Sequence, residues 1–210
     1  CAVKPAIPGL FNESVIAPAG TTRPKVTTGM SCFSTTTTFS PLGSSIRSGN
    51  GGGKTGSLAG GGIIDSEASN EAVELAELLD MAMVPSYGHN DAVPNSHRLY
   101  VGPPGGRGAG EAAEAINQAD VILALGTRLS QGTTGWNFNV INPETQILQV
   151  DIDAQEIGRN YPVSVGIVGD AKAVAQQLLR LLRLQFPEGR ENPQWRSRIE
   201  DLAARREARL

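Results

Sequence analysis

The sequence predicts an α/β fold: a doubly wound parallel sheet preceded by a low-complexity N-terminal segment. Three observations carry this expectation. Short apolar runs such as "VILAL" at 121–125 alternate with stretches of helical period. These runs are nearly continuous, as strands covered on both faces are. Residues 1–57 show no such order, and ten of the twenty residues from Ser31 to Asn50 are Ser or Thr.

Taken in chain order, residues 1–57 hold too little periodic apolar surface to offset the entropy of ordering and are expected to be mostly disordered. The α/β domain is expected over 58–185. Asp65 or Ser66 caps a predicted helix running through Leu79, with Ala68, Ala72, Leu75 and Leu79 on one face. "MAMVPS" reads as a short strand, followed by a loop rich in Gly and Pro from Tyr87 to Gly110. Glu111–Ala119 reads as a short helix, and "DVILALG" and "QILQVDID" as buried strands. Asp153 and Glu156 have the spacing of a capping box, which predicts a helix of one or two turns. "VSVGIVG" is a further strand. Asp170 then caps a helix through Leu184, with Val174, Leu178, Leu181 and Leu182 facing inward. Residues 186–210 read as a linker helix. Pro193 lies in its first turn, and Trp195, Ile199 and Leu202 form a stripe that needs a partner surface, either this domain or something beyond Leu210.

Composition excludes several function classes. Of 21 acids and 18 bases, residues 1–64 hold one acid (Glu13) and five bases (Lys4, Arg23, Lys25, Arg47, Lys54). The five bases are scattered, without interleaved aromatics, and the whole chain carries a net charge of −3, which argues against a nucleic-acid surface. No apolar run is long enough to span a membrane. Cys1 and Cys32 lack metal-ligand spacing, and the remaining cysteine-free chain suits a reducing, cytoplasmic location.

Glycine supplies the candidate chemistry. "GGGKT" at 51–55 resembles the end of a Walker A loop, but the first glycine of that motif would fall at Ser48, and no apolar strand precedes it. The second cluster, Gly60-Gly61-Gly62, fits better. Together with Gly126-Thr127-Arg128, Asp151-Ile152-Asp153 and Gly169-Asp170, it falls at predicted carboxyl ends of strands. Ligands of open parallel sheets bind there, with carboxylates accepting from ribose hydroxyls. Arg128 would stack on an adenine or pair with phosphate. Ordinary strand-to-helix turns also favour Gly and Asp, so spacing alone leaves both readings open. His89, Asp91 and His97 share a loop without a recognised metal spacing.

Four stretches together resemble a known family: "LAGGGII", "YGHNDAVPNSHRLYVGPPGG", "AINQADVILALGTRL" and "ILQVDIDAQEIGRNYPVSVGIVGDAKAV". They resemble the central domain of thiamine-diphosphate-dependent enzymes, of the acetolactate synthase and sulfoacetaldehyde acetyltransferase branch. The resemblance covers about Leu58 to Leu210. It implies a Rossmann-like, six-stranded sheet between a pyrimidine-binding and a diphosphate-binding domain, in an enzyme that is a homodimer or homotetramer. It also implies a lyase or transferase acting on 2-oxo acids or sulfoacetaldehyde, with thiamine diphosphate and Mg²⁺ held outside this chain. The family's activating glutamate and its GDG…N motif are absent, so no catalytic or metal residue is expected here.

In some members the central domain holds FAD or ADP. The resemblance would place that ligand at Gly61, Gly62, Gly126, Thr127, Arg128, Asp151, Ile152, Asp153, Gly169 and Asp170. The chain departs from the family before Gly60, where "GGGKTGSL" stands in place of a Val/Ile strand. Residues 1–57 are accordingly expected to be foreign to the family, leaving the sheet without its first strand and with an exposed edge.

Overall fold

The computed structural model describes residues 16–18, 53–104, 110–135 and 137–209. Strands are β1 (Ile16–Pro18), β2 (Thr55–Ala59), β3 (Met81–Pro85), β4 (Val121–Leu125), β5 (Gln146–Asp151) and β6 (Val165–Val168). Helices are α1 (Gly61–Asp65), α2 (Ser69–Leu78), α3 (Gly110–Gln118), α4 (Gln131–Thr134), α5 (Ala171–Gln185) and α6 (Pro193–Glu207). The sheet order is β1-β6-β5-β4-β2-β3. Strands β2 to β6 are all parallel, and only β1 runs antiparallel, against β6. The expected disorder of the N-terminal segment otherwise concerns residues outside the described ones.

The first strand is present, against expectation. "TGSLA" pairs with β3 on one side and β4 on the other and is an interior strand, next to the β3 edge. It carries no Val or Ile, and its neighbours lie at ordinary contact distance. A Cβ on Gly56 would lie 3.6 Å from the Ala119 Cβ. The Thr55 and Ser57 hydroxyls donate to carbonyls of Leu79 and Ala82. Two-sided pairing and fit, rather than intrinsic preference, make this strand. The edge lies instead at β3, where Leu99–Val101 covers it: Met83 N–H donates to Leu99 O at 2.7 Å and Val101 N–H to Met83 O at 3.1 Å.

The helix expected from Asp65 or Ser66 is two helices. Ser66 ends α1, its hydroxyl donating to Gly62 O at 2.6 Å, and Glu67 turns the chain at φ 54°. Ile63 thereby enters the core, and Ala68 begins α2. Asp170 caps α5 as expected, accepting from Ala173 N–H at 2.9 Å. Leu179 is buried on that helix, whereas Leu181 is 42% exposed, so the inward face is rotated from the one predicted. Asp153 and Glu156 form no helix. Asp153 Oδ1 accepts from Gln155 N–H, and the chain continues as turns.

Helices α1, α2 and α5 pack as one group and α3 and α6 as another. Helix α6 is part of this packed body. Trp195, Ile199 and Leu202 are buried, and the Trp195 indole donates to Thr55 O at 2.9 Å. Arg196 grips fully buried Asp80 through two bonds of 2.7 and 2.9 Å, and Asn192 N–H donates to the same carboxylate. The predicted stripe thus finds its partner surface within this domain.

Candidate functional site

Strand order reverses between β2 and β4: the chain runs from β2 outward to β3, then returns past β2 to β4, β5 and β6. Open α/β sheets bind ligands at this switch point, outside the carboxyl ends. The turns after β2, β4, β5 and β6 carry Gly61–Gly62, Gly126–Arg128, Asp151–Asp153 and Gly169–Asp170 respectively. Three strand spacings separate the first from the last, roughly 14 Å, the reach of a dinucleotide.

The two innermost turns touch. Gly60 N–H donates to Leu125 O and Gly62 N–H to Gly126 O, each at 3.0 Å. Gly126 has φ 59°, and a Cβ there would lie 2.7 Å from the Gly62 Cα. A Cβ on Gly62 would lie 2.8 Å from the Gly126 Cα, and one on Gly60 would collide with Gly126 O. These glycines are required by backbone-on-backbone contact.

The outer residues are held locally. Thr127 is buried, and its carbonyl accepts from the Gln149 side chain at 3.2 Å. Arg128 is exposed, its Nε 4.0 Å from Glu156 Oε1, an oxygen that Arg159 also approaches at 2.6 Å. Asp151 is buried and accepts from Asp153 N–H at 3.0 Å, while Ile152 is 75% exposed. A Cβ on Gly169 would meet Val174 at 3.1 Å, and Asp170 is engaged as the cap of α5.

Two residues beyond the sequence expectation complete the site. Gln149, 1% exposed in the middle of β5, ties the Thr127 loop to the following turn. Its amide donates to Thr127 O and Glu156 O, and its oxygen accepts from Gly158 N–H at 2.9 Å. A polar residue inside an apolar strand was the available signal. His89 is the other. Its ring lies on Gly61, and Nδ1 shares a hydrogen bond of 3.1 Å with the Ser86 hydroxyl. His97 is engaged elsewhere, between Glu77 and Leu99 N–H. Among the described residues no three His, Cys, Asp or Glu converge as a metal site.

On the rim, Phe138 and Tyr161 rings sit 5.7 Å apart. Burial pushes the Tyr161 phenol above its ordinary pKa. Two cavities stand out among the described residues. One of about 10 Å³ beneath α1 and α2 holds at most a water. The other, of about 260 Å³, is lined by Lys54, Asp120, Trp195 and Arg198, residues by the amino ends of β2 and β4 or on α6.

Fold and crevice together define a doubly wound α/β domain with glycine turns meeting at its switch point. Residues 56–178, more than half the chain, match the central domain of thiamine pyrophosphate enzymes, and the chain belongs to that family. It is 49% identical over 127 residues to a probable sulfoacetaldehyde acetyltransferase of Rhizobium meliloti, covering 60% of this chain and 22% of that protein. It is 46% identical over 127 residues to a sulfoacetaldehyde acetyltransferase of Roseovarius nubinhibens, covering 60% and 21%. Against an acetolactate synthase of Mycobacterium avium, identity is 42% over 124 residues, covering 59% and 20%. The chain therefore spans about a fifth of the length of these curated relatives. No described helix is long and apolar enough to cross a membrane.

Proposed function

We propose that this chain is the structural central domain of a thiamine-diphosphate-dependent enzyme that makes or breaks carbon–carbon bonds in 2-oxo acids or sulfoacetaldehyde. In this reading it spaces the pyrimidine-binding domain from the diphosphate-binding domain of the same homodimeric or homotetrameric, cytoplasmic enzyme. Thiamine diphosphate with Mg²⁺ supplies the carbanion chemistry in such enzymes. The residues here do not fit that cofactor. The nearest relative of a diphosphate motif is Gly169-Asp170-Ala171, whose carboxylate is spent on Ala173 N–H. The chain's part is to hold a rigid sheet.

One observation carries the spacer reading: the Gly60 and Gly62 N–H groups are donated to the β4 strand end and turn rather than left for a ligand. A phosphate cradle needs such groups free. The purified 210-residue protein should show no turnover of pyruvate or sulfoacetaldehyde with added thiamine diphosphate and Mg²⁺. Its melting temperature should not rise with millimolar FAD or ADP. Turnover, or a saturable rise, contradicts the reading.

The second reading is a stand-alone FAD- or ADP-binding module. The exposed Arg128 guanidinium beside the switch point favours it. A yellow chromophore on the purified protein, and loss of a nucleotide-induced melting shift in Arg128→Ala, would support it.

A further inference from the structure

We propose that His89 is a built-in gate that closes the switch-point glycine turn to phosphate groups. The inference rests on the spacer reading above and adds to the committed Gly60 and Gly62 donors a steric block over Gly61. It starts from the space over Gly61. A Cβ there would lie 2.7 Å from His89 Nε2 and 3.0 Å from Cδ2. The imidazole thus rests on the bare glycine backbone, at the turn a diphosphate approaches in sheets of this topology.

The ring is held by more than chance packing. The Ser86 hydroxyl engages Nδ1 at 3.1 Å, and His89 N–H donates to Ser86 O at 3.0 Å. Ser86 N–H in turn donates to Ala59 O at 2.7 Å, which ties the loop to the end of β2 itself. At its far side, Ala92 N–H donates to His89 O, and the Ser69 hydroxyl of α2 donates to Ala92 O at 2.8 Å. The loop is fastened at both ends to the elements that flank the glycine turn. Glycine at 61 is needed to admit the ring, so the same residue that makes the turn look like a nucleotide site receives the side chain that covers it.

A double-mutant cycle tests the contact. Gly61→Ala should lower the melting temperature of the wild type, and His89→Ala should remove most of that loss. Calorimetric titration with ADP tests the consequence. The wild type should give no measurable binding, and His89→Ala should bind ADP at least about tenfold more tightly than the wild type's detection limit. Ser86→Ala, which keeps the loop's backbone bonds and frees the ring, should move in the same direction and serves where His89→Ala does not fold.

Additive effects of Gly61→Ala and His89→Ala would overturn the gate. So would freed-ring variants that still take no ADP, while leaving the spacer reading standing. Tight ADP binding by the wild type would overturn both.

Discussion

Gly126 and Gly158 share the left-handed backbone, at φ 59° and 69°, yet their demands differ. A Cβ on Gly126 would press into the Gly62 backbone at 2.7 Å, which cannot yield. One on Gly158 meets Val163 at 3.7 Å, an ordinary contact. Gly158→Ala should therefore cost only the conformational penalty, about 1 kcal/mol. Gly126→Ala adds a backbone clash and should cost about 2–4 kcal/mol. Urea denaturation of the two variants checks the ranking, and equal losses would contradict it. Glycine positions were legible in the sequence because strand-end turns favour them. Their partners were not, since Gly60 and Gly126 are 66 residues apart and only the strand order brings them together. His89 was opaque for the same reason. In the sequence it is a loop histidine, and only the return of the loop over β2 lays it on Gly61.

At the scale of elements, β2 shows where local reading fails. "TGSLA" has no strand-like run, and pairing on both sides makes it an interior strand of the sheet. Apolar strands β4 and β5 were legible because buried parallel strands write themselves as continuous runs. The break between α1 and α2 was not, because Ser66 closes the first helix on its own carbonyls. Helix α6 was legible as an amphipathic helix, but its docking depends on Asp80, a residue that the sequence leaves unremarkable. Trp195→Ala removes a buried ring and a bond to Thr55 O, and should cost about 3–5 kcal/mol in denaturant unfolding. Asp80→Ala removes the buried carboxylate that Arg196 and the Asn192 N–H share, and should cost about 2 kcal/mol or more. If either variant unfolds like the wild type, α6 is not part of the cooperative unit.

Across the whole molecule, charge pairs tie the C-terminal helix α6 to α3 beside it. Glu114 of α3 receives both Arg198 and Arg205 of α6. The Arg205 hydrogen bond, seconded by the Arg198 charge and opposed by burial, holds the Glu114 carboxyl below the ordinary carboxylate range. A depressed folded-state pKa adds stability above the unfolded value, about 4.3, and that stability is lost as pH falls through the folded value. The melting-temperature gap between wild type and Glu114→Gln should accordingly be full near neutrality and close under acid conditions. A gap independent of pH would show that the pair does not link the helices. The turns that follow β2, β4, β5 and β6 lie along one edge of the sheet, where the alternation of strands and helices put them. What sequence could not supply was the state of their backbone donors, which depends on how closely the β2 and β4 turns approach.

The central claim is that these donors are committed to the fold, and amide hydrogen exchange at Gly60 and Gly62 measures it most directly. The account predicts that both amides exchange as slowly as those of β4 and β5, with no change on adding FAD or ADP. Exchange at the rate of an open loop, or new protection on adding either nucleotide, would show the turn to be a ligand site and contradict the account.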